Sequence, residues 1–428
     1  MLKPEDNERL VRVGPGKPAG ELMRRYWQPA LLSEELPGTD CPPLRVRLLG
    51  EDLVAFRDSN GRIGIVDAYC AHRRAPLFFG RNEECGLRCA YHGWKFDVDG
   101  NCVDVPSEPA GTPMKDRVKL KAYPAVERGG VVWTYMGPRE RMPEPPDFEW
   151  TRAPSTHAFV SKTYEECNYL QALEGGLDTS HASFAHNNYL GDKQVLRNID
   201  TAPRIEVETT GYGYRYVSTR TIDADRRYVR VYHYVMPAQQ MRGAFESWFT
   251  YRNDKDAFRV PKSDGHIWVP IDDEHTWVYN WTCGRDRSVP LTAEFIAEWE
   301  AHAGRGKDDL IPGTYRPKRN LRNDYLIDRA VQKTKTFTGI EGINTQDYAL
   351  QEGMGPIVDR SQEHLGSSDK AIVVLRRLLL DAIRAVERGE EPPGRDPRAH
   401  RTLRPYDAVI SGDTPWQESF ASELVAKW

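Results

Sequence analysis

Two short segments of the sequence each place a cysteine beside a histidine, as metal sites require. The first is Cys-Ala-His at Cys70 to His72, and the second is Cys-Ala-Tyr-His at Cys89 to His92. Two loops that each present a thiolate and an imidazole could hold a zinc ion. They could also hold a two-iron cluster in which two histidines replace two cysteines on one iron. The gaps of one and two residues favour the cluster, because structural zinc sites more often contain closely spaced cysteine pairs. Zinc is the alternative.

A second group of potential ligands lies in the stretch NYLQALEGGLDTSHASFAH. On a helix, Glu174, Asp178 and His181 would follow each other at i, i+4 and i+7 and project from one face. His186 would point elsewhere, so both histidines can bind one ion only if the helix breaks near Ser183. The alternative is an ordinary solvated helix face without a metal.

The elements that would position the cysteine and histidine loops are β-strands. A helical segment, residues 1–42, is centred on Glu21 to Trp27 and precedes them. From Leu44 the hydrophobic period changes to two, and turn residues separate the segments LRVRLL, LVAFRD and RIGIVDAYC. This pattern predicts an antiparallel meander, which the hairpin FDVDGNCVDV and the strand VVWTYMGP extend into a β domain at residues 43–137.

The Pro-rich segment PRERMPEPP predicts a linker at residues 138–150, and residues 151–428 form the second domain. Strands at Gly213 to Thr221 and His275 to Thr282 alternate there with helices at Thr292 to Ala303 and Asp369 to Arg388. In the last helix apolar residues recur at three and four, which predicts one buried stripe. Its members are Ile372, Leu375, Leu379, Ala382 and Val386.

Composition limits the classes of function. The chain has 428 residues, 39% of them hydrophobic, and a formal net charge of −4, so no global attraction to nucleic acid or an anionic membrane is expected. No apolar run is long enough to span a membrane, and the polar start MLKPEDNERL is not a signal peptide, which predicts a cytoplasmic protein. Five of the seven cysteines show no ligand spacing and are interpreted as ordinary residues: Cys41, Cys85, Cys102, Cys167 and Cys283.

Taken together, the two groups resemble a known family over nearly the whole chain. A Rieske motif followed by N-x-x-Q-x-x-E-x-x-x-D-x-x-H-x-x-x-x-H is similar to the terminal oxygenases, or large subunits, of the Rieske non-haem iron family. The segment INTQDYALQEGMGPIVDRSQEHLGSSD resembles the phthalate dioxygenase branch, which includes aromatic O-demethylases. The resemblance implies an α+β protein: an antiparallel β Rieske domain, then a catalytic domain with a curved antiparallel sheet covered by helices, helix-grip-like.

The resemblance also assigns the candidate ligands. It implies that Cys70, His72, Cys89 and His92 hold a Rieske [2Fe-2S] cluster. It implies that His181 and His186 bind a mononuclear Fe(II), with a third, carboxylate ligand from far downstream. The best candidate for that carboxylate is Asp347, and spacing alone leaves Asp359 and Glu352 open.

In the family, an aspartate joins a Rieske histidine of one subunit to an iron-binding histidine of the next. Here the resemblance implies His92 from one chain, and Asp178 and His181 from its neighbour. It therefore implies a homotrimer or stacked trimers, without a second type of subunit.

The implied reaction uses dioxygen as a cosubstrate. The chain has no Rossmann glycine fingerprint and no plant-type cysteine cluster motif, so electrons must come from NAD(P)H through a separate reductase, with or without a ferredoxin domain. The substrate implied is a small aromatic acid, oxidised by cis-dihydroxylation of a phthalate-type ring or by O-demethylation of a methoxylated acid. Arg204, Arg220 and Arg242 are candidates to bind its carboxylate. A Rieske electron-transfer protein without oxygenase activity is the rival class.

Overall fold

The computed structural model describes residues 2–191, 196–243 and 260–428. The chain starts with two helices, Pro4–Val11 and Pro18–Met23, each with proline in its first turn. The helix predicted around Glu21 to Trp27 therefore ends at Met23, and strand β1, Trp27–Leu32, follows. Pairing with a distant strand, Val131–Tyr135, decides this conformation, since Trp27 lies opposite Tyr135.

The strands of the N-terminal part form three antiparallel sheets. The predicted meander is present as β2–β4, and β9 completes its sheet in the order β2-β3-β4-β9. A second sheet has the order β5-β6-β7-β8, and a third has the order β1-β11-β10. The bounds are β2 Leu44–Leu48, β3 Glu51–Arg57, β4 Ile63–Asp67, β5 Arg81–Glu83, β6 Gly86–Arg88, β7 Lys95–Phe96, β8 Cys102–Asp104, β9 Ala122–Tyr123, β10 Ala125–Arg128 and β11 Val131–Tyr135.

The turn between β2 and β3 fixes this part against the rest of the protein. Leu49 and Gly50 have φ of 50° and 75°, as a two-residue hairpin turn requires. Their N–H groups donate to the carbonyl groups of Pro270 and Ile271, at 3.0 and 2.8 Å. The energy of these two bonds helps to hold the non-glycine residue in a left-handed conformation.

The C-terminal part contains an eight-stranded antiparallel sheet in the order β12-β18-β17-β16-β15-β14-β13, with β19 also paired to β15. The strand predicted at Gly213 to Thr221 is present unchanged as β14, and the one predicted at His275 to Thr282 is β18. The bounds are β12 Ala158–Glu165, β13 Arg204–Thr210, β14 Gly213–Thr221, β15 Arg226–Val235, β16 Gln239–Gly243, β17 Lys262–Pro270, β18 Thr276–Gly284 and β19 Tyr406–Ser411.

Helices pack against this sheet. The helix Tyr169–Leu177 contacts β16 and β17, and the helix Lys370–Glu387 contacts β13. The predicted apolar stripe of the latter is buried, which accounts for its strong amphipathic period. The remaining α-helices of the described ranges are Met114–Arg117, Glu149–Arg152, Leu196–Ile199, Ala293–Ala303, Arg329–Thr334, Ile343–Gly353 and Trp416–Phe420.

The expected α+β architecture is confirmed: a β part of antiparallel strands precedes a part with a large antiparallel sheet and helices. Within the described ranges, no helix combines the length and the apolar composition that crossing a bilayer requires.

Candidate metal centres and active-site cavity

One face of the large sheet and the chain segments above it enclose a cavity. The floor is made by alternate residues of β14–β18, as the period of two in a strand demands. They are Ser218, Arg220, Tyr228, Arg230, Tyr232, Gln240, Arg242, His266, Trp268 and Val278. The other side is lined by Gly176, Asp178, Thr179, His181, Ala182, His186, Ile343, Asn344, Asp347, Tyr348 and Gln351.

The three predicted ligands His181, His186 and Asp347 meet at this cavity. The Nε2 atoms of the two imidazoles are 3.1 Å apart. Asp347 Oδ1 lies 3.4 Å from Nε2 of His181 and 3.2 Å from Nε2 of His186. Metal–ligand bonds of about 2.1 Å at right angles separate two ligand atoms by about 3.0 Å, so the donor set fits three adjacent positions around one ion.

The alternative carboxylates have other partners. Asp359 accepts from the Ser361 N–H at the start of a short helical turn. Glu352 accepts from the Glu166 N–H at 2.9 Å and from the hydroxyl of Tyr325. In residues 2–191, 196–243 and 260–428, the His181, His186 and Asp347 set is the one His/Cys/Asp/Glu group of three or more whose ligand atoms all lie within 4.8 Å of one another.

The backbone that brings the two histidines together differs from the predicted one. The helix Tyr169–Leu177 stops at Asp178, well before Ser183, because the Asp178 carboxylate accepts from the Ser180 N–H at 2.7 Å and turns the chain. His181 then starts a short 3₁₀ turn, and the Phe184 N–H donates to its carbonyl group at 2.9 Å. The helix end, rather than a break near Ser183, lets both side chains face one point.

Glu174, expected on the same face as Asp178 and His181, points away from the cavity. It lies between the guanidinium groups of Arg360 and Arg376, at 2.9 and 2.6 Å. Its contribution is structural, because its carboxylate joins the helix Tyr169–Leu177 to two later segments of the chain.

His186 is held in one orientation by Gln346, the residue before Asp347. Its Nδ1 lies 2.8 Å from Gln346 Oε1. Gln346 Nε2 donates to Asn188 Oδ1 at 2.9 Å and to the Ile340 carbonyl group at 2.8 Å, so the amide oxygen faces the imidazole. His186 Nδ1 must therefore donate, which leaves the Nε2 lone pair for a metal.

Two carboxylates next to His181 give the site a negative electrostatic potential. Asp178 Oδ2 lies 3.6 Å from His181 Nδ1, and Asp347 Oδ1 lies 3.4 Å from the other ring nitrogen, Nε2. Burial opposes a charge on the ring, but the hydrogen bonds and charges of both carboxylates outweigh it and raise the pKa of His181 to about 10. Burial likewise opposes the ionisation of Asp347, and the two histidines nevertheless hold its pKa far below the ordinary value. The field at this point favours a cation.

The second candidate centre is built by two loops of the N-terminal part. In the first loop the Cys70 N–H donates to the Ala75 carbonyl group, at 2.8 Å. In the second, the Cys89 N–H donates to the Trp94 carbonyl group, also at 2.8 Å. Each loop is therefore closed over its cysteine in the same way. Gly93, with φ of 76°, supplies the left-handed conformation that the second loop needs.

Side chains of the two loops converge as a Rieske cluster requires. Cys70 and Cys89 are 1% and 3% exposed, whereas His72 and His92 are half-buried with ring centroids 4.5 Å apart. Burial raises the pKa of the Cys70 thiol to about 11. His72 stacks on Trp94, and its Nδ1 is buried without a hydrogen-bond partner in the described chain. An orphaned imidazole nitrogen beside two buried thiols fits a ligand set of two cysteines and two histidines.

The three candidate arginines occupy different places. Arg220 and Arg242 line the cavity, as expected. Arg204 does not: its side chain is 68% exposed at the start of the edge strand β13 and pairs with Glu206 at 2.7 Å. The prediction for Arg204 is therefore wrong in its premise that this residue walls the cavity.

The arginines that do line the cavity have different partners. Arg220 donates to Ser183 Oγ and to the Thr179 carbonyl group, at 3.0 and 2.8 Å, which ties the segment that carries His181 to β14. Arg242 is paired with the buried Asp264 at 2.5 Å.

Sequence reasoning missed Arg230. This arginine lines the cavity from the middle of β15, and its Nε donates to the Gly243 carbonyl group at 2.7 Å. Of the carboxylates in the described ranges, none forms a salt bridge with it. The signal was present, since Arg230 alternates with Tyr228 and Tyr232 on the inward face of a strand.

Comparison with known proteins agrees with this arrangement. The Rieske [2Fe-2S] domain family matches residues 26–124, and the family described as LigXa C-terminal domain like matches residues 134–427. The phthalate 4,5-dioxygenase oxygenase subunit of Pseudomonas putida is 40% identical over 439 residues, which cover 98% of this chain and 94% of the relative. The 5,5'-dehydrodivanillate O-demethylase oxygenase subunit of Sphingobium sp. (strain NBRC 103272 / SYK-6) is 33% identical over 431 residues, 97% of this chain and 89% of the relative.

Among solved structures, NdmA of Pseudomonas putida CBB5 superimposes with a TM-score of 0.60 at 20% sequence identity. The match covers 92% of this chain and 99% of NdmA. At 20% sequence identity, this structural similarity is evidence of a shared fold alone.

Proposed function

The chain belongs to the Rieske non-haem iron oxygenases, and from that premise we propose that it is a terminal oxygenase component that oxidises a small aromatic carboxylate with dioxygen. One observation carries the proposal: the donor set of His181, His186 and Asp347 opens into a cavity whose floor holds arginine and aromatic side chains. A three-donor face leaves other positions around an ion free, and the arginines favour an anionic substrate beside it.

The residues divide between two centres. Cys70, His72, Cys89 and His92 would hold the [2Fe-2S] cluster, and His181, His186 and Asp347 would hold Fe(II). When bound, the cluster supplies single electrons and the iron activates dioxygen. The protein holds the iron ligands in place: Gln346 fixes the tautomer of His186, and Arg220 anchors the segment before it.

Asp178 would connect the two centres across a subunit boundary. Every described residue that lines the cavity lies between Gly176 and Gln351, so the cluster loops of the same chain do not reach it. The Asp178 side chain is 23% exposed, with one oxygen towards His181. A second subunit could therefore present His92 to this carboxylate, which supports a homotrimer or stacked trimers.

Electrons would come from NAD(P)H through a separate reductase. Support comes from the names of the relatives, each an oxygenase subunit rather than a complete system.

Arg230 is the best candidate to bind the substrate carboxylate. Its guanidinium forms no salt bridge within the described chain, whereas Arg220 is engaged by Ser183 and the Thr179 carbonyl group and Arg242 is neutralised by Asp264. Tyr232 and Trp268 offer flat apolar surface for a ring. Arg230→Ala should weaken the binding of benzoate or phthalate by at least about tenfold, because a charge-assisted hydrogen bond is lost. Arg204→Ala, outside the cavity, is the matched control and should leave binding unchanged.

The favoured reaction is cis-dihydroxylation of a phthalate-type ring, supported by the 40% identity to a phthalate 4,5-dioxygenase subunit. A second reaction, O-demethylation of a methoxylated aromatic acid, is supported by the 33% identity to an O-demethylase subunit over 97% of this chain.

Product analysis tests the proposal and separates the two reactions. Purified holoenzyme, reduced with dithionite and freed of excess reductant, would be mixed with dioxygen and either phthalate or a methoxybenzoate. A ring diol is expected, and formaldehyde would assign the O-demethylation. Reoxidation of the cluster without any oxygenated acid, across a panel of aromatic carboxylates, would favour an electron-transfer protein and contradict the proposal.

A further inference from the structure

Two neighbouring strands present hydrogen-bond acceptors to the floor of the cavity. Gln240 of β16 and His266 of β17 lie directly opposite each other in the register of the sheet. Both side chains line the cavity, and they are 1% and 5% exposed. Neither residue is one of the candidate metal ligands, and neither has been given a role in binding the substrate carboxylate.

The tautomer of His266 is fixed by a chain of hydrogen bonds behind it. Its Nδ1 lies 2.8 Å from Asn280 Oδ1. Asn280 Nδ2 points to the Val278 carbonyl group at 3.2 Å and to Thr163 Oγ1 at 3.4 Å, which assigns the amide oxygen to the side of the imidazole. His266 Nδ1 therefore donates, and Nε2 carries a lone pair.

His266 stays neutral, so Nε2 remains an acceptor. Burial lowers the pKa of His266 to about 3, and the positive charges of Arg242 and Arg305 lower it further against the opposing charge of Asp264. Within the described chain, Nε2 has no hydrogen-bond partner. Because the residue lines the cavity, this lone pair is available to a ligand.

Gln240 adds a second acceptor beside it. Its Nε2 donates to the Gly176 carbonyl group at 2.6 Å and to the hydroxyl of Tyr216, which fixes the orientation of the amide. Its Oε1 is buried and has no hydrogen-bond partner among residues 2–191, 196–243 and 260–428. Two neighbouring acceptors in the cavity floor, His266 Nε2 and Gln240 Oε1, therefore have no donor partner within the described chain.

We propose that His266 Nε2 is a specificity-determining acceptor, and that the preferred substrate is an aromatic acid that also carries a hydrogen-bond donor, a ring hydroxyl or amino group. The inference rests on the proposed oxidation of an aromatic carboxylate and narrows its substrate class. The carboxylate faces Arg230, and the donor faces His266. A ligand without the donor displaces water from the imidazole nitrogen and forms no hydrogen bond in its place. The acceptor is then desolvated and unpaired, which weakens binding.

Equilibrium binding tests the proposal without turnover. Isothermal titration of the oxygen-free holoenzyme would compare 3-hydroxybenzoate and 3-aminobenzoate with benzoate and 3-methoxybenzoate. At least one of the two donor ligands should bind at least about tenfold more tightly than both benzoate and the methoxy acid. The hydroxyl and amino ligands distinguish which donor the site prefers.

A variant then assigns the preference to the residue. His266→Phe keeps a flat ring but removes the acceptor, so the preference should fall to less than about twofold, because the donor ligands lose a hydrogen bond and benzoate no longer leaves a buried acceptor unpaired. His275→Phe is the matched control, because His275 lies outside this cavity and bonds to Asp272. The visible spectrum of the cluster checks that each variant is folded.

The outcomes separate the inference from the function on which it rests. Equal binding of all four acids by the wild-type protein would overturn the role of His266 and leave the proposed oxygenase intact, and so would a full preference retained by His266→Phe. If no aromatic acid binds, the proposed substrate class fails as well.

Discussion

Replacing Glu174 with glutamine should destabilise the protein while leaving the metal site intact. The carboxylate is 9% exposed and lies between two guanidinium groups that are themselves 0% and 6% exposed, those of Arg360 and Arg376. The amide in Glu174→Gln retains the shape of the side chain and removes its charge. The sequence motif includes Glu174 but does not indicate what it does. Its two ion pairs indicate that it stabilises the fold.

The size of the effect follows from the partners that remain. Arg376 would keep Glu363, which accepts from its two Nη atoms at 2.6 and 2.9 Å. Within the described chain, the side-chain acceptor that remains for Arg360 is the neutral Asn7 Oδ1, at 3.0 Å. One buried guanidinium is therefore left without a counter-charge, and breaking a buried ion pair in this way costs about 3–5 kcal/mol.

Urea titration followed by tryptophan fluorescence, together with iron analysis, measures both consequences. The midpoint should fall strongly in Glu174→Gln, and iron per subunit should match the wild-type protein. Glu363→Gln is the matched control: Glu363 pairs with the same Arg376 but is 24% exposed, so a loss of about 1 kcal/mol or less is expected. Loss of iron at unchanged stability would refute the reasoning and make Glu174 a ligand.

Three further predictions follow from the site and its surroundings. Gln346→Leu removes the acceptor of His186 Nδ1 and should weaken iron binding about 10–100-fold, measured by competition with a chelator. Asp178→Asn should keep both metals and slow electron transfer between them, and unaltered reoxidation of the cluster in single turnover would contradict the bridge. Burial, and then the charge of Glu352, raises the pKa of Glu165 well above its usual value. The folded carboxyl therefore keeps a proton that the unfolded chain loses above about pH 4.5, and stability falls as pH rises. Glu165→Gln should remove this loss, so its advantage in urea midpoint over the wild-type protein should be larger at pH 8 than at pH 4.

Local patterns predicted much of the fold because its signals are short-range. The meander β2–β4 follows from a period of two with turn residues between the strands, and the helix Lys370–Glu387 follows from its apolar stripe. The end of the helix Tyr169–Leu177 was missed because an aspartate side chain, not a glycine or proline, turns the chain there. Trp27–Leu32 was misjudged because its partner strand lies about one hundred residues later.

The site was predictable where a motif fixed spacing and unpredictable where tertiary contacts decide. His181 and His186 could be proposed as a pair, but Asp347 reaches them only through the packing of a distant helix. Helical spacing places Glu174 on the same face as Asp178 and His181. In the structure its carboxylate instead pairs with two arginines about two hundred residues later in the chain. Arg204 and Arg230 show the same limit, since a strand pattern does not tell an edge strand from a central one.

Single turnover of His181→Ala tests the central claim most directly, that electrons from the cluster are used at the His181, His186 and Asp347 site. The protein would be reduced, freed of reductant and mixed with dioxygen and the aromatic acid that binds most tightly. The wild-type protein should reoxidise its cluster and yield oxygenated product. The variant should retain the visible spectrum of the cluster and yield no product. Product from His181→Ala in the wild-type amount would contradict the assignment of the site.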